Sequence, residues 1–220
     1  MAWGWYAAAL VFALGDWYAV LTGRQRLRGL TKPAVMLVLI AGFWLSGGWH
    51  GPGFWFGLGL VFSLAGDVLL LMPPGFFIGG LAAFLLAHVC YIVGLNDSPP
   101  PLRWEVFAML ALLFGVDFFG YRRLRRAIFT RPKGHWLRYP IFGYVVVISL
   151  MVFSAALTLF RPEWPRLAAA LVCLGALLFY CSDLVLANDR FVAPIRYGRL
   201  IVIVTYHLAQ AAIVTGVLLL

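Results

Sequence analysis

Four aspartates lie in or beside strongly apolar stretches of this chain and are the residues best suited to proton chemistry. They are Asp16, Asp67, Asp117 and Asp183. A carboxylate inside the hydrocarbon of a membrane costs roughly 2.5 to 3.5 kcal/mol on insertion scales, so each needs a compensating partner or a function. Such acids serve as general acids and bases in catalysis, or as members of a proton relay.

Two of these aspartates have arginines close by in sequence. Arg24 follows Asp16, and the cluster 122–126 follows Asp117. Because an arginine can extend along a helix while its charge stays in water, we expect both acids to form structural ion pairs.

Asp67 and Asp183 lack so close a partner. The turn after Asp67, residues 72–75, contains no basic side chain, which favours a position inside a helix bundle and a functional role. Arg190 follows seven residues after Asp183, about 10 Å along a helix. For Asp183, an interior role and a surface ion pair are therefore both open.

Polar partners at a similar depth are few and lie on three other apolar runs. They are Lys32 beside Pro33, His88 with Tyr91, and Tyr206 with Gln210. Residues three or four apart share one face of a helix, so these side chains can form a polar pocket. Each histidine, His207 included, can equally be a hydrogen-bonded packing residue, and each tyrosine can be an interfacial anchor.

The composition places all of these residues in a membrane protein. Of the 220 residues, 64% are hydrophobic and only 11% are charged, against about 25% charged in a soluble domain. The net charge of +9 is carried by short segments between apolar runs, which indicates membrane topology and contact with anionic lipids rather than nucleic-acid binding. The three cysteines lie inside apolar runs and form neither a disulfide framework nor a CxxC metal site.

Apolar runs of about 20 residues predict an all-α fold, a polytopic helical bundle with eight transmembrane helices that forms a single domain over residues 1–220. The expected spans are 3–22, 32–49, 54–72, 76–95, 104–121, 139–160, 166–187 and 199–219. The first run has no basic residue ahead of it, unlike a signal peptide, so we expect it to be retained.

The basic residues also predict the orientation of the bundle. The segments after the first, third, fifth and seventh runs hold 4, 0, 7 and 3 Lys or Arg, a total of 14 out of 17, and the other side holds 3. By the positive-inside rule those four segments are cytoplasmic. We therefore expect a multi-pass protein of the inner cell membrane with both termini outside.

The order and spacing of these motifs resemble those of the YhhN family, which includes lysoplasmalogenases of the transmembrane-protein-86 type. The resemblance covers nearly the whole chain and rests on Lys32-Pro33, Gly66-Asp67, His88 with Tyr91, residues 144–151, Ser182-Asp183, and Tyr206 with Gln210. It implies hydrolysis of the vinyl ether bond of lysoplasmalogens, which releases a fatty aldehyde and a glycerophospho-ethanolamine or -choline. The site residues that it implies are Lys32, Asp67, His88, Tyr91, Ser182, Asp183, Tyr206 and Gln210; Asp16, Asp117 and His207 are outside the pattern.

Two carboxylates suit this reaction, because a vinyl ether is cleaved by protonation of its β-carbon and capture of the resulting cation by water. We expect Asp67, without a basic neighbour, to be the acid and Asp183 the base, although these roles can be exchanged. Lys32 is expected to hold the substrate phosphate. No metal or cofactor is expected; the partners are a lysophospholipid substrate and membrane lipids.

Other functions remain open. The chain has no GxSxG or HExxH motif, and a zinc site would need more histidines than its apolar runs contain. A small proton-coupled transporter is the main alternative, because buried Asp and His residues also form proton relays. A receptor or assembly factor without chemistry is a third.

Overall fold

The computed structural model describes residues 4–101, 103–129 and 134–220. Every regular element within these ranges is helical. The eight long helices are α1 Gly4–Thr22, α2 Gln25–Leu45, α3 Gly53–Leu71, α4 Phe77–Leu95, α5 Trp104–Phe129, α6 Gly134–Leu157, α7 Arg166–Ala187 and α8 Gly198–Leu218. Short 3₁₀ turns precede α4 and follow α6, and a π-helical turn, Asn188–Val192, follows α7.

Each of the eight helices is long and apolar enough to cross a membrane. A bilayer core about 30 Å thick requires about 20 residues at 1.5 Å each, and these helices meet that length. The chain is therefore a multi-pass helical membrane protein, and the predicted fold class is confirmed.

Three predicted helix ends are wrong. Helix α2 begins at Gln25, so that Pro33 lies inside the helix rather than in its first turn. Helix α5 continues to Phe129, and α6 begins at Gly134, so most of 122–138, the segment with seven basic residues that was expected to be a loop, is helical. Hydropathy marks the part of a helix that lies in lipid, whereas arginine is a good helix former and carries the helix beyond it.

Consecutive helices pack as hairpins, α1 with α2, α3 with α4, α5 with α6, and α7 with α8. Helix α8 is central, because it also touches α1, α2 and α3, whereas α5 contacts mainly α6 and the π turn and is the least buried of the eight. Helices α1, α3, α5 and α7 all finish at one end of the bundle, here called the basic end.

Small residues bring α7 and α8 close together. A Cβ atom added to Gly175 would lie 2.8 Å from the carbonyl oxygen of Ala209, and one added to Gly216 would lie 2.8 Å from that of Ala168. Close backbone approach at small residues is a common basis of helix association in membranes. These contacts fix α8, which carries Tyr206 and Gln210, against α7, which carries Asp183.

A buried arginine fixes the C-terminal end of α4, which lies away from the basic end. Arg161 is only 4% exposed, and its guanidinium donates hydrogen bonds to the carbonyls of Leu95 and, at 2.9 Å, Ser98. The last carbonyls of a helix have no partner within it, so these bonds complete the end of α4. They thereby help to position His88 and Tyr91.

Candidate functional site

Asp67 is the centre of a buried polar group. The carboxylate is fully enclosed near the end of α3, with the Lys32 Nζ atom 2.9 Å from Oδ1 and the Tyr206 hydroxyl donating to Oδ2 at 2.8 Å. The expectation that Asp67 has no basic neighbour is therefore wrong. Its partner comes from α2, which packs beside α3, and not from its own turn.

A second set of hydrogen bonds continues from this centre along α3 and α8. The Tyr91 hydroxyl donates to the Gln210 side-chain oxygen at 2.7 Å, and the Gln210 amide donates to the Ser63 hydroxyl at 2.9 Å. Ser63 lies one turn before Asp67, and Gln210 lies one turn after Tyr206. The structure thus brings five of the predicted site residues together, with Ser63 as a sixth that sequence reasoning missed.

Asp183 belongs to a different centre. Its carboxylate accepts a hydrogen bond from the Tyr144 hydroxyl of α6, and no ion pair with Asp183 occurs among the described side chains. The surface pair with Arg190 that its position left open is absent, because the Arg190 guanidinium lies 3.7 Å from the ring centre of Phe77. Asp183 faces the interior instead.

A partly open cavity of about 290 Å³ lies beside Asp183, between α4, α5, α6, α7 and the π turn, with Leu70 at the end of α3 also in its lining. Its volume is near the lower end of the 300 to 1,000 Å³ that is usual for small-molecule sites. Most of the lining is aliphatic or aromatic. Its polar members are Asp117, Tyr121, Arg123, Tyr144, Tyr180, Asp183 and Asn188.

A two-carboxylate reaction predicts that Asp67 and Asp183 share one cavity, but of these two only Asp183 belongs to this lining. Phe84 lines the cavity, and its ring lies 5.7 Å from that of Tyr206, the tyrosine bonded to Asp67. The Phe179 ring packs edge-on against both of these rings. An aromatic layer thus separates Asp67 from the cavity.

His88 lies within the same aromatic layer. It is fully buried on α4, and its ring centre is 4.6 Å from that of Phe179 and 5.3 Å from that of Tyr144. Phe179 contacts the tyrosine of the Asp67 centre, and Tyr144 binds Asp183. His88 therefore bridges the two acid centres by packing.

Ser182 points away from the cavity. Its hydroxyl donates to the Val202 carbonyl of α8 at 2.9 Å, which ties α7 to α8 next to Asp183. The geometry makes Ser182 a residue that positions its neighbour.

The two aspartates that were expected to form ion pairs with arginine do not. Asp16 is fully buried and accepts a hydrogen bond from Thr31 at 3.3 Å, with the His207 ring nitrogen Nε2 at 4.0 Å. Arg24 comes after the last residue of α1 and lies over the Tyr18 ring instead.

Asp117 accepts a hydrogen bond from the Tyr180 hydroxyl at 2.6 Å, whereas Arg122 lies over the Phe118 ring. Five residues along a helix turn the side chain by about 140° relative to the first, which explains why Arg122 faces away.

The described residues contain no group of three or more His, Cys, Asp and Glu side chains arranged to hold a metal ion. One carboxylate lies beside a cation and another beside a phenol at an apolar cavity, an arrangement that suits proton transfer.

Comparison with known proteins indicates the family. The YhhN family model matches residues 27–217. The bovine protein named lysoplasmalogenase TMEM86A is 34% identical over 71% of this chain and 62% of its own length, and the human one is 32% identical over 70% and 60%. A Mycobacterium tuberculosis protein named lysoplasmalogenase is 30% identical over 87% of this chain and 70% of its own. The chain therefore spans about three fifths of the TMEM86A relatives. No solved structure matches it significantly.

The buried ion pair leads to a stability prediction. Lys32→Met leaves the Asp67 charge enclosed without its cation, which typically costs about 3 to 5 kcal/mol, whereas Lys32→Met/Asp67→Asn removes both charges and should recover a large part of that loss. Thermal unfolding in one detergent would measure both, with the exposed Arg24→Met as the matched control. Equal stability of the single and double variants would contradict a stabilising pair.

Proposed function

Because the chain belongs to the YhhN family, we propose that it is an intramembrane hydrolase that cleaves the vinyl ether bond of lysoplasmalogens. The products are a fatty aldehyde and glycerophospho-ethanolamine or -choline. The relatives named lysoplasmalogenase support the substrate class. The structural observation that carries the proposal is Asp183, bonded to Tyr144 at the wall of a mostly apolar cavity.

The chemistry needs one proton donor and one proton acceptor. The acid gives its proton to the β-carbon of the vinyl ether, and the ether oxygen stabilises the cation that forms on the α-carbon. Water adds to this carbon and loses a proton to the base, which gives a hemiacetal. The hemiacetal hydroxyl then loses its proton as the bond to the glycerol oxygen breaks, and that oxygen takes up a proton and leaves as the alcohol. The proton held by the base returns to the acid through water, so the net consumption is one water.

The surroundings of the two acids favour roles opposite to those expected from the sequence. Asp183 has a neutral phenol as its partner and lines the cavity, so it is the proton donor. Asp67 has the Lys32 ammonium at 2.9 Å, which stabilises its carboxylate form, so it is the base and stabilises the cation by its charge. Access of water to Asp67 requires movement of Phe84, which packs against Gly66 beside it.

The remaining predicted residues support these two acids. Tyr206 orients the Asp67 carboxylate, and Tyr91 and Gln210 hold the adjoining part of α8 through their hydrogen bonds. His88 keeps the aromatic layer between the centres in register. Lys32 is 5% exposed and occupied by Asp67, so the phosphate role expected for it is unsupported.

The first test is hydrolysis itself. Purified protein in detergent, where no proton gradient exists, should release aldehyde from a lysoplasmalogen and should continue to do so in a chelator, because two carboxylates can perform both proton transfers. Aldehyde release would be followed by a coupled dehydrogenase. If no hydrolysis occurs and liposomes show gradient-driven flux of a solute, the protein is a transporter; if chelator abolishes hydrolysis and zinc restores it, the mechanism uses a metal.

The aspartates should respond unequally to amidation. Removal of a general acid or base typically costs about 10² to 10⁴ in rate, so Asp183→Asn and Asp67→Asn should each lose nearly all turnover per folded molecule. The turnover of Asp67→Asn/Asp183→Asn should be little lower than that of either single variant, since the two acids act as one unit. Turnover would be compared at equal concentrations of folded protein.

Asp16→Asn and Asp117→Asn are the matched controls and should mainly lower stability or yield. Because Asp117 also lines the cavity, its variant distinguishes the pair Asp183 and Asp67 from the pair Asp183 and Asp117. Near-normal hydrolysis by Asp67→Asn, together with its loss in Asp117→Asn, would move the base to Asp117.

We also propose that the protein lies in the inner cell membrane with both termini outside, which the distribution of 14 and 3 basic residues supports. In a variant without native cysteines, Asp97→Cys should react with an impermeant reagent added outside intact cells, whereas Arg126→Cys should react only after permeabilisation. Labelling of Arg126→Cys in intact cells would indicate the opposite orientation, with both termini inside.

A further inference from the structure

The proposed substrate carries a phosphate for which the structure offers a binding group other than Lys32. Lys32 is enclosed and paired with Asp67, behind the aromatic layer. Arg123 is the basic residue that lines the cavity beside Asp183. Resting on the proposed function, we propose that Arg123 binds the phosphate of the lysolipid substrate at the rim of this cavity and holds the molecule with its headgroup toward the basic end.

The position of Arg123 differs from that of the adjacent Arg122. Arg123 is exposed near the end of α5, on the face that also brings Asp117 and Gly120 to the cavity. No acidic side chain in the described part of the chain forms an ion pair with it. Arg122 lies over the Phe118 ring and is not part of the lining. Arg123 is therefore a cation that faces the cavity with its charge available for an anion.

The levels of the side chains along the bundle match the order of groups in the substrate. The hydrogen bond from Tyr180 to Asp117 joins helices α7 and α5, which run in the same direction. At about 1.5 Å per residue, Asp183 lies about 4.5 Å beyond Tyr180 on α7, and Arg123 lies about 9 Å beyond Asp117 on α5, both toward the basic end. The proton donor thus lies between the interior of the cavity and the rim arginine.

A lysoplasmalogen has the same order of groups. Three glycerol carbons separate its phosphate from the vinyl ether oxygen, and the hydrocarbon chain continues beyond the double bond. With the phosphate at Arg123, the glycerol spans the interval to Asp183, and the double bond comes opposite the carboxyl group. The chain then extends along apolar lining such as Ile148 and Phe84. An arginine suits this position because it recognises phosphate through two hydrogen bonds at once.

The test compares two substrates that differ only in the phosphate headgroup. Since a hydrogen bond to a charged group contributes about 1.5 to 3 kcal/mol, Arg123→Gln should raise the KM for a lysoplasmalogen about tenfold to a hundredfold with little change in kcat. It should leave the KM for the corresponding 1-alkenylglycerol, which lacks phosphate, nearly unchanged. Arg123→Lys should restore part of the affinity, and Arg122→Gln should behave like the unaltered protein.

A binding measurement separates this inference from the proposed reaction. The saturated 1-alkyl lysophosphoethanolamine cannot be cleaved by this route, and it should raise the melting temperature of the unaltered protein and of Arg122→Gln but not that of Arg123→Gln. Binding that depends on Arg123 without any hydrolysis would overturn the function and retain the site. Inorganic phosphate should give no such shift.

Three results would overturn the assignment of Arg123. The first is an equal rise in KM for the phosphate-free substrate, and the second is an equal effect of Arg122→Gln, which would indicate only a general attraction to anionic lipid. The third is stabilisation by inorganic phosphate as large as that by the lysolipid, which would indicate an anion site independent of the substrate.

Discussion

The enclosure of the Asp67 charge within a membrane bundle is the constraint on which the rest of the structure depends. Lipid offers no hydrogen bonds, so this carboxylate requires the Lys32 ammonium and the Tyr206 hydroxyl, and these come from two different helices. Helix α8 is central for that reason. It must meet α3 at Tyr206, while its Gln210 connects Ser63 to Tyr91. Small residues let the same helix pack closely against α7.

The second acid has the opposite surroundings, and one aromatic layer makes the difference possible. Phe84 and Phe179 separate the charged, enclosed Asp67 from Asp183 at the cavity. A carboxylate near a cation and a carboxylate near a phenol have unequal affinities for a proton, which is what acid and base roles require. The layer is thin. The His88 ring contacts Tyr144, which is hydrogen-bonded to Asp183, and the Phe179 ring contacts Tyr206, which is hydrogen-bonded to Asp67.

Much of the fold and part of the polar group around Asp67 could be predicted from the sequence. Apolar runs gave eight helices, and spacing of three or four residues correctly grouped Tyr206 with Gln210. Contacts between helices could not be predicted, because hydropathy contains no information on which faces meet. For this reason Asp67 acquired a lysine that its own turn lacks, and Asp117 met Tyr180 instead of an arginine. The i, i+4 spacing of Ser63 and Asp67 was a signal that could have been used.

The placement of the cavity also suits the proposed lysolipid substrate. A lysolipid must keep its chain in an apolar space while its headgroup and the attacking water stay at a polar one, so the reacting bond has to lie at the boundary between them. The cavity provides that boundary. Arg123 and Asn188 lie toward its basic end, Asp183 lies deeper, and apolar side chains such as Ile148 and Phe84 lie on the inner side of Asp183. Helix α5, the least buried of the eight, forms one wall of this space.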